Sequence, residues 1–159
     1  MFGEYRFQTE WFVPGATVEE VYDVVGDTHG YPTWWGDVWL EVEGGEGPPR
    51  AGRRSRIKAK GYLPYKLRWW AEVTEADRPR TFSIKAEGDF QGGGTWTFEP
   101  IEGGTKAHLD WRPVVHKPLV RYLTPLLKPL FSSNHYWTMR RGQEHVTGEV
   151  DRRRGQAAP

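Results

Sequence analysis

The chain has 159 residues, 37% of them hydrophobic and 14% aromatic, with nine tryptophans, which is enough for one domain with a sizeable core. It contains no cysteine, which excludes disulfides, thiolate metal sites and thiol nucleophiles. Its 22 Lys and Arg against 21 Asp and Glu leave a formal charge of +1, so the overall balance makes no case for a nucleic-acid partner.

Residues 4–13 alternate without a break. Tyr5, Phe7, Thr9, Trp11 and Val13 fall on one side, and Arg6, Gln8 and Glu10 on the other. This period of two predicts a half-buried strand, ended by Pro14-Gly15. The same stretch has no apolar run of the secretory kind, and no window approaches the ~18 apolar residues that a spanning helix needs. A cytoplasmic location is therefore expected. Thr17, with Glu20 three residues later, has capping-box spacing. It starts a short helix with Val18, Val21, Tyr22 and Val25 on one stripe. Residues 30–36 predict a turn and a second short helix, with Pro32 at an early helical position.

Residues 37–43 read as a strand with Val38, Leu40 and Val42 on one face. Residues 44–52 hold four Gly and two Pro and form a loop. In the strand at 53–60, Ser55, Ile57 and Ala59 face in, while Arg54, Arg56, Lys58 and Lys60 make an outer basic row. Across from that row Glu41, Glu43 and Glu72 offset its charge, so it reads as a solvated face. A long strand at 64–75 puts Tyr65, Leu67, Trp69, Ala71 and Val73 on one face, with Lys66 and Arg68 on the other. After the turn at Asp77-Arg78-Pro79 come three strands. The first, 81–87, has Phe82, Ile84 and Ala86 inward. Gly92-Gly93-Gly94 reads as a turn or bulge before the second, 95–102, with Trp96 and Phe98 inward. Gly103-Gly104 is a hairpin signal, and the third, 105–114, turns Ala107, Leu109 and Trp111 inward. Residues 118–153 are helical in pattern, with breaks expected at Pro125 and Pro129 and a restart at Ser132 or Ser133. Residues 156–159 are expected to fray.

The order is one strand, two short helices, six strands and a long helix. That predicts a single α+β domain over residues 1–155, a seven-stranded curved antiparallel sheet around a C-terminal helix. A sheet this long must curl, and one helix cannot fill the curl. An internal apolar pocket is the expected result.

Four stretches resemble a known family: the opening strand through Val13-Pro14-Gly15, the helix Val18-Glu19-Glu20-Val21-Tyr22-Asp23-Val24-Val25, Tyr31-Pro32-Thr33-Trp34-Trp35, and Asn134-His135-Tyr136-Trp137-Thr138-Met139. Together they resemble the helix-grip fold of the START/Bet v 1-like superfamily, and above all its bacterial polyketide cyclase/dehydrase branch. The resemblance implies an internal cavity for a hydrophobic small molecule such as a lipid, polyketide or quinone. It also implies, for a few members, cyclisation or dehydration chemistry. Residues 116–131 go beyond the simplest family pattern.

On this footing the expected ligand wall is Phe7, Thr9, Trp11, Ser55 and Ile57, then Tyr65, Leu67, Trp69, Phe82 and Ile84, then Trp96, Phe98, Leu109 and Trp111, closed by Phe131, His135 and Met139 of the long helix. A plain packed core is the competing reading. Thr9, Ser55 and Tyr65 offer hydroxyls to orient a ligand. His135 and Arg53 are the catalytic candidates: His135 because its ordinary pKa lies near 6.5, Arg53 because a guanidinium holds a carboxylate or enolate oxygen. Gly142 reads equally as room beside the cavity or as close helix–sheet packing. Residues 118–131 mix apolar residues with Lys and Arg, which suits a lid, a transient membrane contact or a partner surface. No cofactor and no metal site is expected, because the histidines show no HExxH pairing and the glycine run lacks the lysine of a phosphate loop. The protein is expected to be a monomer or homodimer.

Overall fold

The computed structural model describes residues 5–61, 66–115 and 118–157. Strand β1 (Phe7–Pro14) is followed by α1 (Val18–Gly26), a 3-10 turn (Thr28–Gly30) and α2 (Tyr31–Trp34). Then come β2 (Trp39–Gly44), β3 (Arg54–Ala59), β4 (Leu67–Asp77), β5 (Thr81–Gly88), β6 (Phe90–Ile101), β7 (Gly104–Val115) and α3 (Pro118–Ala157). All pairings are antiparallel, in the order β1-β7-β6-β5-β4-β3-β2. This is the helix-grip architecture that the order of elements predicts.

The capping box at Thr17 is formed. Thr17 Oγ1 accepts from the Glu20 amide at 3.1 Å, and Glu20 Oε1 accepts from the Thr17 amide at 2.9 Å. Glu20 is also gripped by Arg154, near the end of α3. That hydrogen-bonded ion pair is the main reason its carboxyl is pulled down to about 2. The outer basic row is paired as cross-strand spacing predicts, with Arg54–Glu72 at 3.5 Å, Arg56–Glu43 at 2.9 Å and Lys58–Glu41 at 3.9 Å.

Three local expectations are corrected. First, Gly92-Gly93-Gly94 is neither a turn nor a bulge but part of β6, paired in continuous register with β5 on one side and β7 on the other. The glycines are there for space. A Cβ on Gly94 would stand 2.5 Å from the Trp111 ring, and one on Gly92 (φ +125°) would stand 2.1 Å from a backbone oxygen of Arg112. Second, the register of β2 slips between Trp39 and Glu41, so Trp39 pairs with Ala59 while Val42 pairs with Ile57. An extra residue in one strand resets the alternation, so Trp39 takes the inner face expected for Leu40. Third, α3 runs unbroken through Pro125 and Pro129 to Ala157. Each proline removes one backbone bond, and the remaining turns carry the helix across.

Helix α3 packs mainly against β1 and against α1 and α2. The main core lies there, built on Trp11, Tyr22, Val25, Trp35, Phe98 and Val146. Gly142 is what brings α3 so close. A Cβ there would stand 2.6 Å from Trp11 and 2.8 Å from Trp35, which decides for close packing over added room. A second, smaller cluster of Val42, Ile57, Trp69, Ala71 and Ala86 lines the far half of the sheet. The helix lies toward the β1 edge, and a hollow remains over that far half.

Candidate functional site

The hollow is a cavity of about 580 Å³ between the inner face of the sheet, α2 and α3. A pocket of this size holds a drug-sized molecule. On the sheet side its wall includes Phe7, Leu109, Trp111 and Trp96, then Phe82 and Ile84, then Leu67, Trp69, Ser55 and Ile57. Helix α3 contributes His135 and Met139. Strand alternation put these side chains on one face, and the position of α3 left them uncovered.

Three expected wall residues lie off the cavity. Trp11 is buried against Trp35 and Trp96, with ring centroids 5.3 and 5.1 Å away. Phe98 packs against Tyr22 at 5.2 Å and Phe82 at 6.0 Å. Both are at the end of the sheet that α1 and α3 cover. Thr9 also turns inward but does not reach the cavity, and its buried Oγ1 has no partner among the described residues. Tyr65 and the side chain of Phe131 lie outside the described residues, as do most side chains of the 118–131 segment. Within that segment Leu130 is exposed.

Other wall residues come from places where strand period gives no guidance. Thr28, Tyr31 and Trp35 enter from the insertion between β1 and β2, and Val38 and Trp39 from its end. The Tyr-Pro-Thr-Trp-Trp stretch marked this region in the sequence without showing what it faced. Trp39 bridges the two sides, with its ring 4.8 Å from Tyr31 and 5.7 Å from Trp69. Tyr5, grouped with the inward residues of the first strand, is also on the wall. Lys60, Gly61, Lys66, Asp89 and Asn134 also line it. Lys60 and Lys66 are exposed and mark the open end. Both were expected on the outer face, but β3 ends at Ala59 and β4 begins at Leu67, so strict alternation does not reach them.

Two polar groups dominate the chemistry. His135 lies flat on Phe7, with ring centroids 4.1 Å apart and planes 16° apart. Its Nε2 is buried without a partner among the described residues. Loss of solvent pulls its pKa down to about 4, so the imidazole is neutral at pH 7 and able to accept or donate one proton. Arg53 is only 6% exposed. Its Nη1 donates to the carbonyls of Gly26 at 2.8 Å and Gly47 at 2.6 Å, and its Nη2 to Thr28 Oγ1 at 3.0 Å. Burial lowers its pKa, yet a guanidinium stays charged at any working pH. Among the described residues no group of three or more metal-ligating side chains is assembled, and no helix is long and apolar enough to cross a membrane.

The arrangement suits a flat apolar molecule held among rings, with polar groups at a few fixed points. Comparison with known proteins places it in context. TTHA0849 from Thermus thermophilus is 26% identical, with a TM-score of 0.72 over 91% of this chain and 99% of that one. The Zhui aromatase/cyclase from Streptomyces sp. R1128 is 13% identical, with a TM-score of 0.73 over 94% of this chain and 95% of that one. Ara h 8.0201 is 13% identical, with a TM-score of 0.59 over 93% and 98%. The last two likenesses show the fold alone. No curated protein matches the sequence. The sequence model of one family, described as polyketide cyclase / dehydrase and lipid transport, matches residues 5–147, so the chain belongs to that family.

Proposed function

We propose that this protein binds and carries a hydrophobic small molecule, such as a lipid, polyketide or quinone, in the cavity under α3. The observation that carries this reading is the 580 Å³ hollow walled by aromatic rings, in a chain of this family. Rings offer large apolar area and stack on flat ligands. The wall residues from Phe7 to Met139 then bind the ligand. The same reading has the protein working in the cytoplasm and touching membranes transiently through residues 118–131. The test is native mass spectrometry of the gently purified protein, followed by solvent extraction and a panel of lipids and polycyclic aromatics. An adduct that survives gentle ionisation, or a saturable ligand in the panel, is the expected result. A cavity that yields no adduct and takes none of the panel defeats the reading.

A second reading is favoured by one feature: His135 on the cavity wall, whose buried Nε2 has no partner among the described residues. A neutral imidazole is a base that can take up a proton, as aromatase/cyclase or dehydratase chemistry requires, and burial makes it a weak one. The fold likeness to the Zhui aromatase/cyclase supports this reading too. Turnover of a reactive polyketide that falls at least ~100-fold in His135→Ala, with ligand binding retained, is the expected outcome. Unchanged turnover in that variant removes His135 from the chemistry.

A further inference from the structure

Three indoles form the floor of the cavity. Trp111 belongs to β7 and Trp69 to β4, with β6 and β5 between them. That separation is roughly 14 Å of sheet, yet the two ring centroids are only 6.0 Å apart. The rings therefore lean toward each other along the sheet instead of standing up from it. Small residues beneath let them do so. Ala86 and Gly88 of β5 and Gly92 and Gly94 of β6 occupy the ground between. The Trp111 ring rests so low on Gly94 that an added Cβ there would stand 2.5 Å from it. Trp39 continues the row on the far side, with its ring 5.7 Å from Trp69. Trp39 and Trp111 are only half-buried and both line the cavity, so ring surface is left for a ligand.

The face of an aromatic ring is the negative side of its quadrupole. A second ring lying flat on an indole is repelled if its own face is negative, and attracted if substituents have drained its π density. Ring carbonyls do this, and ring hydroxyls or ethers do the reverse. Indole faces also attract cations, but a cation entering here passes Lys60 and Lys66 at the mouth. Hydrogen bonding selects in the same direction. The Tyr31 hydroxyl is spent on the Val25 carbonyl and Trp35 Nε1 on the Thr138 carbonyl. The Trp39 and His135 nitrogens that lack a partner among the described residues are themselves buried. A ligand hydroxyl carried in among these groups loses its water and gains little in return.

We infer that the cavity selects a flat, uncharged, electron-poor ring of the quinone type, stacked on the floor of Trp39, Trp69 and Trp111, and that it prefers the oxidised form of such a ring to the reduced one. The inference rests on the proposed binding function. It adds the electronic class of the ligand, the place where the ring lies and a discrimination between redox forms.

The probes are 2-methyl-1,4-naphthoquinone and 2-methyl-1,4-dimethoxynaphthalene, which share a ring system and oxygen positions and differ in π density. Each is titrated calorimetrically into the full chain at pH 7.5, which has no cysteine for the quinone to alkylate. The expected result is binding of the quinone about three- to tenfold tighter, with a new absorption band at longer wavelength than either partner's own. The reduced probe, 2-methyl-1,4-dihydroxynaphthalene kept under anaerobic conditions, should bind about tenfold more weakly than the quinone. That preference lowers the two-electron potential of the bound couple by about 30 mV. In Trp111→Leu and in Trp39→Leu the preference for the quinone over the dimethoxy compound should shrink and the band fade, with circular dichroism confirming the fold. If neither variant folds, the probes in the unmodified chain still decide. Equal or tighter binding of the dimethoxy compound, or a preference unchanged in both variants, overturns the inference and leaves the binding function standing. Failure of all three ring probes, with a fatty acid bound in their place, also overturns it. Failure of every ligand defeats the binding function itself.

Discussion

Replacing Gly142 by alanine tests how the cavity comes to exist, because this glycine sets where α3 lands. An added Cβ would stand 2.6 and 2.7 Å from two atoms of the Trp11 ring and 2.8 Å from the Trp35 ring. Carbon atoms in contact prefer about 3.5–4.0 Å, so helix and rings must separate by about 1 Å. Neither ring is free to move. Both are 2% exposed, Trp11 is wedged between Trp35 and Trp96, and Trp35 Nε1 donates to the Thr138 carbonyl at 3.0 Å. Overpacking of this kind costs about 1–3 kcal/mol, and the rigid surroundings place it near the top of that range. Against it stands the helix-propensity gain of alanine over glycine, about 1 kcal/mol. Gly148 is the control. It is on the same helix, and a Cβ there meets nothing within 4 Å. Gly148→Ala should therefore gain about 0.5–1 kcal/mol. The two variants share the propensity term, so their difference isolates packing, at about 2–3 kcal/mol. In a chain of this size that separates their Tm values by roughly 4–12 °C. Differential scanning calorimetry at one pH measures it. A Gly142→Ala protein that melts with or above Gly148→Ala would show that α3 has room to spare, and the explanation of the cavity by helix placement would fail.

Three further predictions follow from the same packing. His135 is held neutral with its pKa near 4 against an ordinary 6.5, so its contribution is intact above pH 6.5 and lost as pH falls from 6.5 to 4. That loss amounts to at most roughly 3 kcal/mol, and His135→Leu should flatten the acid limb of a Tm-against-pH curve. An NMR titration placing the His135 ring at about 6 or above would contradict it. Glu149, 3% exposed, accepts from Arg152 at 2.7 Å and from Arg153 at 2.8 Å. Glu149→Ala leaves Arg153 with only the half-buried Asp27 as an ion-pair partner and should cost about 2–4 kcal/mol in urea unfolding, whereas a cost below about 0.5 kcal/mol would show the pair to be decorative. Gly94→Ala drives a Cβ to 2.5 Å from the Trp111 ring on the cavity wall. It should destabilise by about 1–3 kcal/mol and weaken ligand binding measured by calorimetry, while unchanged affinity would mean that Trp111 does not touch the ligand.

Much of this protein is decided within short windows of its sequence. Alternation in residues 5–13 and in the later strands fixes which side chains share a face, because successive residues of a strand point to opposite sides. The Thr17–Glu20 spacing fixes the start of α1, because both bonds of the capping box are local. The order of elements fixes the fold, since only one long helix is available to cover seven strands. What alternation leaves open is the object that an inward side chain meets. Phe7 and Trp11 are four residues apart on one face of β1, yet Phe7 lines the cavity and Trp11 is sealed under Gly142. The landing point of α3 makes that difference, and it is set by contacts more than a hundred residues apart. The bulge that turns Trp39 inward is equally hidden, because one extra residue in a pairing register leaves no mark on composition. Arg53 is the sharpest case. Its place at the head of a strand was legible, but not that Asp27 would pair with Arg153, a hundred residues on, leaving Arg53 without a carboxylate partner among the described residues.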